Sequence, residues 1–255
     1  MEQVGKILGL PPLASEHGQH VDNLIIYVHL LMAALFIGWM AYFLLVLFKF
    51  HKSRNPKADY AGVKNHASTY IEGLVALIEG ILLIGVAVPL WAKAADTTRF
   101  PSDKDSTVLQ IVAQQFNWNV RYPGKDGLFG DQNPRFVKDD NVFGMDLSDP
   151  KGKDDVQVSD EVHVVVNKPV IIWISSRDVI HSFKVIAMRV TQDAIPGMRI
   201  PIHFTPTKEG RYQINCAQLC GNGHANMSRG MLVVESQAAF DKWLASKVGA
   251  ATSFD

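Results

Sequence analysis

The only two cysteines of the chain lie in a segment rich in residues that bind soft metal ions. Cys216 and Cys220 are followed by His224 and Met227, so two thiols, an imidazole and a thioether fall within twelve residues. Thiolate and thioether are soft ligands, and together with imidazole they favour copper or zinc over hard cations. A single-copper electron-transfer site uses one cysteine, whereas two thiolates this close can bridge two metal ions. The spacing therefore indicates a binuclear copper centre.

Two other interpretations of this segment stay open. Cys216 and Cys220 can close on each other as a structural disulfide, in a small strained loop with Gly221 and Gly223 nearby. A structural zinc ion held by two cysteines and two histidines is the other interpretation. Met227 argues against zinc, because a thioether is a poor zinc ligand.

The composition gives no indication of a nucleic-acid partner. The 255 residues include 25 Lys and Arg and 25 Asp and Glu, so the net charge is zero at pH 7. The sequence has no basic cluster of the kind that binds phosphate backbones. Its mean hydropathy is slightly positive although 20% of the residues are charged, so the apolar residues must be concentrated in part of the chain.

Two long apolar runs predict a pair of helices that span a membrane. Residues 24–48 are interrupted only by His29, and residues 70–91 only by Glu72 and Glu79. A helix needs about 20 apolar residues to cross a bilayer. The first run is too long for a signal peptide and no cleavage site follows it. We therefore predict an N-terminal segment at 1–20 and a transmembrane hairpin at 21–93.

The loop between these helices, residues 49–66, is predicted to lie in the cytoplasm. Basic loops stay on the cytoplasmic side of a membrane, and this loop has a single acidic residue, Asp59, against Lys49, Lys52, Arg54, Lys57 and Lys64. Both termini and everything after residue 93 then lie on the outer face. The two cysteines would face an oxidising compartment, where a free thiol pair needs an explanation.

After a polar linker at 94–106, the sequence changes to short apolar runs that predict β-strands. Turn signals such as Pro123-Gly124 separate them. Many short strands at close spacing indicate an all-β sandwich or barrel. It would occupy residues 107–255, with a loop-like stretch at 123–160 and a short helix at 237–247. The predicted strands are 109–122, 161–166, 170–175, 181–188, 200–204, 210–216 and 230–235.

A cupredoxin builds its copper site from a Cys-His-Met loop and one histidine of an earlier strand. His181 is the candidate for this earlier histidine, so we predict a cupredoxin-like domain after the two-helix hairpin. His163 and His203 also fall in strand-like runs and are predicted to be surface or packing residues. His29 lies in the first apolar run, where it could face a partner subunit or the membrane interface.

Taken together, the chain resembles cytochrome c oxidase subunit 2 of the haem-copper oxygen reductases. The resemblance covers nearly the whole chain and includes the hairpin. Its other motifs are Gln-Phe-Asn-Trp at 115–118, Tyr-Pro-Gly at 122–124, and the segments 126–130, 178–183, 192–197 and 216–227.

The resemblance implies a CuA centre in which both cysteines bridge two coppers. Each copper would take one histidine, with the methionine and a main-chain carbonyl as weak axial ligands. It also implies that electrons pass from a cytochrome c or another haem-c donor to haem in subunit 1, which reduces oxygen to water. The ligands would be His181, Cys216, Gln218 through its main-chain oxygen, Cys220, His224 and Met227.

Two positions depart from the family pattern. Most members have Glu at the position of Gln218, and its side chain reaches a magnesium ion shared with subunit 1. Because Gln218 lacks the negative charge of Glu, the resemblance gives weaker support for a magnesium site. The family's aromatic stretch begins with Trp, the residue where electrons are thought to enter, but this chain has Phe116. Phe116 and Trp118 are therefore the candidates for that role.

Further roles follow from the same resemblance. Glu72 would lie at the mouth of a proton channel in subunit 1, or at headgroup level. Asp178, beside His181, is the candidate for docking the donor, whereas the acid-rich stretch 139–161 is more typical of a solvated loop. Glu79 is as readily explained by helix packing as by a proton role.

The expected partners are subunit 1 and other oxidase subunits, the haem-c donor and membrane lipid. The expected location is a bacterial inner membrane, with the copper domain in the periplasm. Two alternatives stay open: the CuA subunit of a nitric oxide reductase, and a membrane-tethered copper-binding protein outside any enzyme complex.

Overall fold

The computed structural model describes residues 2–57, 60–62 and 64–248. The chain divides into two compact units. Met1–Leu10 and His20–Lys93 form the helical unit, whereas Pro11–Gln19 and Ala94–Asp255 form the β unit. The domain boundaries predicted from composition stay predictions.

The helical unit contains two helices that are long and apolar enough to cross a membrane. Leu30, Phe36 and Leu83 are more than half exposed in the isolated chain, as expected of side chains that face lipid or a partner subunit. A π-helical stretch, Ile81–Ala87, precedes Pro89, which has no N–H for the helical ladder. The helices are α1 (Glu2–Ile7), α2 (Gly18–Lys49), α3 (Ala67–Gly80) and α4 (Val88–Ala95).

The β unit consists of three small sheets and a terminal helix, α5 (Gln237–Lys247). Its strands are β1 (Thr107–Gln114), β2 (Asn117–Tyr122), β3 (Val156–Ser159), β4 (Glu161–Val165), β5 (Val170–Ser176), β6 (His181–Val185), β7 (Val190–Ala194), β8 (Ile200–Phe204), β9 (Gly210–Gln213), β10 (Asn215–Cys216) and β11 (Met231–Glu235). The sheet orders are β3-β2-β1-β5-β8, β10-β6-β7 and β4-β11-β9.

Alternating apolar residues direct these strands into one core. Leu109, Ile111 and Ala113 recur with the period of two that a strand requires, and all three are fully buried. Phe183 of β6 belongs to the same core. Burying each such large apolar side chain stabilises the fold by about 1.5–3 kcal/mol. The predicted all-β, cupredoxin-like class and the preceding pair of long apolar helices are confirmed.

Several strand boundaries were predicted wrongly. Residues 109–122 form a hairpin, because the chain reverses between β1 and β2 and pairs Gln114 with Asn117. No Gly or Pro marks this reversal. The predicted strand at 181–188 ends in a 3-10 turn at Ile186–Met188. The strand predicted at 210–216 is divided into β9 and β10 at Ile214.

Two strands were missed. β3 lies inside the stretch predicted as loop-like, and β7 was not predicted. In β7, buried Val190 and Ala194 flank three more exposed polar positions, so its apolar pattern is too sparse to stand out. The helix predicted at 237–247 is confirmed with the same bounds.

A buried ion pair fastens the long segment after β2 to the sheet. Arg121 of β2 bonds the Asp155 carboxylate, and neither side chain has exposed surface. Its guanidinium also donates to the Gly130 carbonyl oxygen at 2.8 Å, and the Gly130 N–H donates to Asp155 at 3.1 Å. One cation therefore ties both ends of the segment to the strand.

Asp155→Ala should destabilise the β unit by about 3–5 kcal/mol, because it leaves the Arg121 guanidinium buried without its partner. The matched control is Asp139→Ala. It removes the ion-pair partner of Arg177, a carboxylate that is 99% exposed, and should lower the free energy of unfolding by about 1 kcal/mol or less. Urea unfolding of the full chain in detergent, followed by tryptophan fluorescence, measures both. Equal losses would contradict this role of the buried pair.

Candidate metal centre

The predicted metal ligands come from two neighbouring parts of the β unit. The ligand loop, defined as residues 216–227, begins in β10 and runs toward β11 through a 3-10 turn at His224–Arg229. β10 is antiparallel to β6 and pairs Cys216 with Phe183. His181 begins β6, two residues before Phe183. This pairing brings the loop beside His181.

Three side chains form a compact donor cluster. One ring nitrogen of His181 and the Sγ atoms of Cys216 and Cys220 all lie within 4.8 Å of one another. His181 Nε2 lies 2.9 Å from the Asp178 carboxylate. Within the described chain, His181 Nδ1 is buried and has no hydrogen-bond partner. Since a buried imidazole nitrogen is costly to leave unpaired, Nδ1 fits a metal ion.

The remaining predicted ligands lie on the ligand loop, and two of them are close to the cysteines. His224 Nδ1 lies 3.3 Å from Cys220 Sγ, and the Cys216 thiol lies 3.0 Å from the Gln218 carbonyl oxygen. Met227 is fully buried in the adjoining core. The Gln218 side chain is exposed. Thiol, imidazole and carbonyl groups thus lie near one another, and copper accepts ligands of these kinds.

Both cysteines are free thiols in this structure. Burial, followed by the effect of the neighbouring Cys216, raises the pKa of Cys220 to about 11. A metal ion binds the thiolate, so metal binding must release the Cys220 proton. The two thiols are not joined in a disulfide in this structure, so both are available as candidate ligands.

Asp178 orients the histidine. Burial favours a higher pKa for its carboxyl, but hydrogen bonds from the Gln115 amide and His181 outweigh burial and lower the pKa. The Gln115 main-chain N–H donates to Asp178 Oδ2 at 2.7 Å. A carboxylate held in this way fixes the ring of a metal-binding histidine and its tautomer.

Two glycines allow Phe116 to pack against the ligand loop. A Cβ at Gly223 would lie 2.8 Å from Phe116 Cγ and closer still to two other ring carbons. A Cβ at Gly221, where φ is +136°, would lie 3.2 Å from the same ring. Phe116 is half-buried, so its ring contacts the ligand loop and retains an exposed edge.

Trp118 lies inside the domain rather than on its surface. Its side chain has no exposed surface, and its indole N–H donates to the Met227 carbonyl oxygen at 2.9 Å. Its ring centroid is 6.2 Å from that of His181. Of the two aromatic candidates, only Phe116 can contact a donor protein directly.

The other residues singled out in the sequence are not members of the donor cluster. Glu72 belongs to the helical unit, where it lines a cavity of about 560 Å³ between α2 and α3. His163 is buried, stacks on Trp243 and lies 2.7 Å from Glu235. His203 packs against Phe100. The packing roles predicted for these two histidines agree with the structure.

Sequence reasoning missed Gln115 as a supporting residue. It belongs to the aromatic stretch, but its residue type carries no metal-binding signal. Its side-chain amide donates to the Cys220 carbonyl oxygen at 2.7 Å. Only the reversal after β1 places it there.

Comparisons with known proteins agree on one family. A family model described as "Cytochrome C oxidase subunit II, periplasmic domain" matches residues 107–236. An "Alternative cytochrome c oxidase subunit 2" of Bradyrhizobium diazoefficiens is 29% identical over 234 residues, covering 91% of this chain and 82% of the relative. A "Cytochrome c oxidase subunit 2" of Thermostichus vulcanus is 28% identical over 277 residues, covering 96% and 80%.

Among solved structures, similarity is found to the periplasmic domain of subunit II of cytochrome oxidase from Bradyrhizobium japonicum. The identity is 27% and the TM-score is 0.42, over 58% of this chain and 95% of that domain.

Gly223→Ala should destabilise the metal-free domain by about 1–3 kcal/mol, because the added methyl overlaps the Phe116 ring. The backbone at Gly223 has φ −93° and ψ 14°, so steric overlap rather than backbone strain would cause the loss. In a Phe116→Ala background the same change should cost little. Thermal unfolding of the two single variants and the double variant measures this coupling. Additive losses would disprove the contact.

Proposed function

The chain belongs to the cytochrome c oxidase subunit II family, and on this premise we propose that His181 and the ligand loop hold a binuclear CuA centre. The chain is a subunit of an oxidoreductase complex, and it is the subunit through which electrons enter the oxidase. One observation above all supports the proposed centre: a buried imidazole nitrogen without a hydrogen-bond partner, on a ring beside two free thiols.

The donor set favours two coppers over one zinc. Structural zinc takes four ligands, drawn from cysteine, histidine and carboxylate. Here Met227 and the Gln218 carbonyl oxygen add two donors that a closed zinc site would not use. We propose that His181, Cys216, Cys220, His224, Met227 and the main-chain oxygen of Gln218 are the complete set.

When bound, the copper pair would supply a one-electron redox group whose change of charge is shared by two metals. The protein chain would hold the proposed ligands in fixed positions. Cys216 is fixed by β10, His181 by Asp178, and the Met227 carbonyl by the Trp118 indole. A rigid, largely buried ligand shell needs little rearrangement when its charge changes.

The proposed donor is a haem-c protein that docks over Phe116. The exposed edge of Phe116 lies next to the ligand loop, so it offers a short route from the surface. Asp178 can add a negative charge to the docking surface through the 29% of its side chain that is exposed. Both of its carboxylate oxygens already accept hydrogen bonds within the chain.

We propose that subunit 1 receives the electrons and contacts the helical unit. The neutral side chain of Gln218 is not expected to hold magnesium there. The protein is membrane-anchored with its copper domain on the outer face. An inner-membrane location, with the basic loop in the cytoplasm and both termini outside, is the finer proposal. The oxidase names of the relatives favour an oxidase over a nitric oxide reductase.

Copper titration of the purified full chain should give two copper ions per chain. Cys220→Ser removes one of the two proposed thiolate ligands, so its copper content should fall to one ion or none. Ser228→Ala is the control, since Ser228 lies in the 3-10 turn at His224–Arg229 and its hydroxyl donates to the Ala225 carbonyl oxygen; it should keep both ions. Elemental analysis counts the metal. A wild-type chain with one zinc or one copper would contradict the proposal.

Glu72→Gln should slow turnover of the assembled oxidase, with the copper content unchanged, if the carboxylate passes protons toward subunit 1. Asn65, Ser68 and Tyr42 line the same cavity and can hydrogen-bond water beside it. Glu79→Gln, which removes the same charge from α3 outside that cavity lining, is measured beside it to compare the two carboxylates. Oxygen consumption measures turnover. Equal rates for wild type and Glu72→Gln would remove the proton role.

A further inference from the structure

We propose that the Gln115 side-chain amide is a positioning group for the copper centre. In this proposal it holds the part of the ligand loop around Cys220 at a fixed distance from His181. The inference rests on the proposed copper centre and adds a residue that is not itself a ligand.

Gln115 contacts both sides of the donor cluster. Its Nε2 donates to the Cys220 carbonyl oxygen at 2.7 Å, across 105 positions of sequence. Its main-chain N–H donates to Asp178 Oδ2 at 2.7 Å, and Asp178 Oδ1 lies 2.9 Å from His181 Nε2. One residue therefore links the carbonyl of Cys220 to the carboxylate that orients His181.

The Gln115 side-chain amide contacts the ligand loop beside a residue with positive φ, Gly221. Cys220 is only 4% exposed, and the next residue, Gly221, has φ +136°, which favours glycine. A Cβ at Gly221 would lie 2.8 Å from Gln115 Nε2. The absence of a side chain at Gly221 thus lets the Gln115 amide approach. The amide gives the Cys220 carbonyl oxygen a hydrogen-bond partner, which a buried carbonyl needs.

Removing this bond should affect the metal site more than the fold. The Cys220 peptide sets the direction of the Cys220 Sγ atom, and among the described residues Gln115 is the side chain that donates to its carbonyl oxygen. Because the link to Asp178 runs through the Gln115 main chain, a side-chain substitution leaves it in place. A variant at position 115 therefore isolates the bond to the ligand loop.

The test uses the copper-loaded full chain and three variants. Gln115→Ala removes the amide, and Gln115→Glu keeps its shape but replaces the N–H donor with an acceptor. Gln114→Ala is the matched control, because Gln114 is the adjacent glutamine and its side chain bonds Arg177 instead. Copper release to a chelator, the visible absorption spectrum and the thermal midpoint of the metal-free chain are measured for each.

Both Gln115 variants should release copper about five- to tenfold faster than wild type and show shifted copper absorption bands. Their metal-free midpoints should match that of Gln114→Ala, which should resemble wild type throughout. If Gln115→Glu releases copper at the wild-type rate, the shape of the side chain matters and its N–H donor does not. This result overturns the proposal. Lower midpoints with unchanged release and spectra would also overturn it, as a merely structural role.

Failure of the proposed function would look different. In that case the wild-type chain itself would lack a copper pair, and the Gln115 proposal would fall with it. If wild type binds two coppers and the Gln115 variants behave identically to it, only the Gln115 proposal is refuted.

Discussion

The pairing of β10 with β6 is the interaction on which the site depends. It is only two residues long, yet it sets Cys216 opposite Phe183 and the Ala217 N–H 2.9 Å from the Ser182 carbonyl oxygen. Phe183 is fully buried, so the core of the β unit fixes β6, and β6 in turn fixes the start of the ligand loop. The His181 and cysteine side chains therefore lie close together because a strand register is fixed.

Neighbouring residues then limit the freedom of three of the candidate ligands. Asp178 holds the His181 ring, Trp118 the Met227 carbonyl, and Gln115 the Cys220 carbonyl. Such surrounding hydrogen bonds orient metal ligands and tune their properties. A ligand set that is pre-arranged in this way suits electron transfer, where the two redox states should differ little in geometry.

The sequence indicated candidate ligands because their chemistry is carried by rare residue types at short spacing, and the structure brings three of them, His181, Cys216 and Cys220, together. It predicted the helical pair from apolar length and the β class from many short strands. It did not predict the reversal at Gln115 and Phe116, because no Gly or Pro marks it. The contacts of these residues with Cys220, Gly221 and Gly223 depend on that reversal, so only the folded chain shows them.

Electron paramagnetic resonance of the oxidised, copper-loaded full chain tests the central claim most directly. A site with two bridging thiolates should share one unpaired electron equally between two copper nuclei, and the hyperfine pattern should reflect both nuclei. A pattern from an electron confined to one copper nucleus, or no copper signal in a chain that holds zinc, would contradict the account.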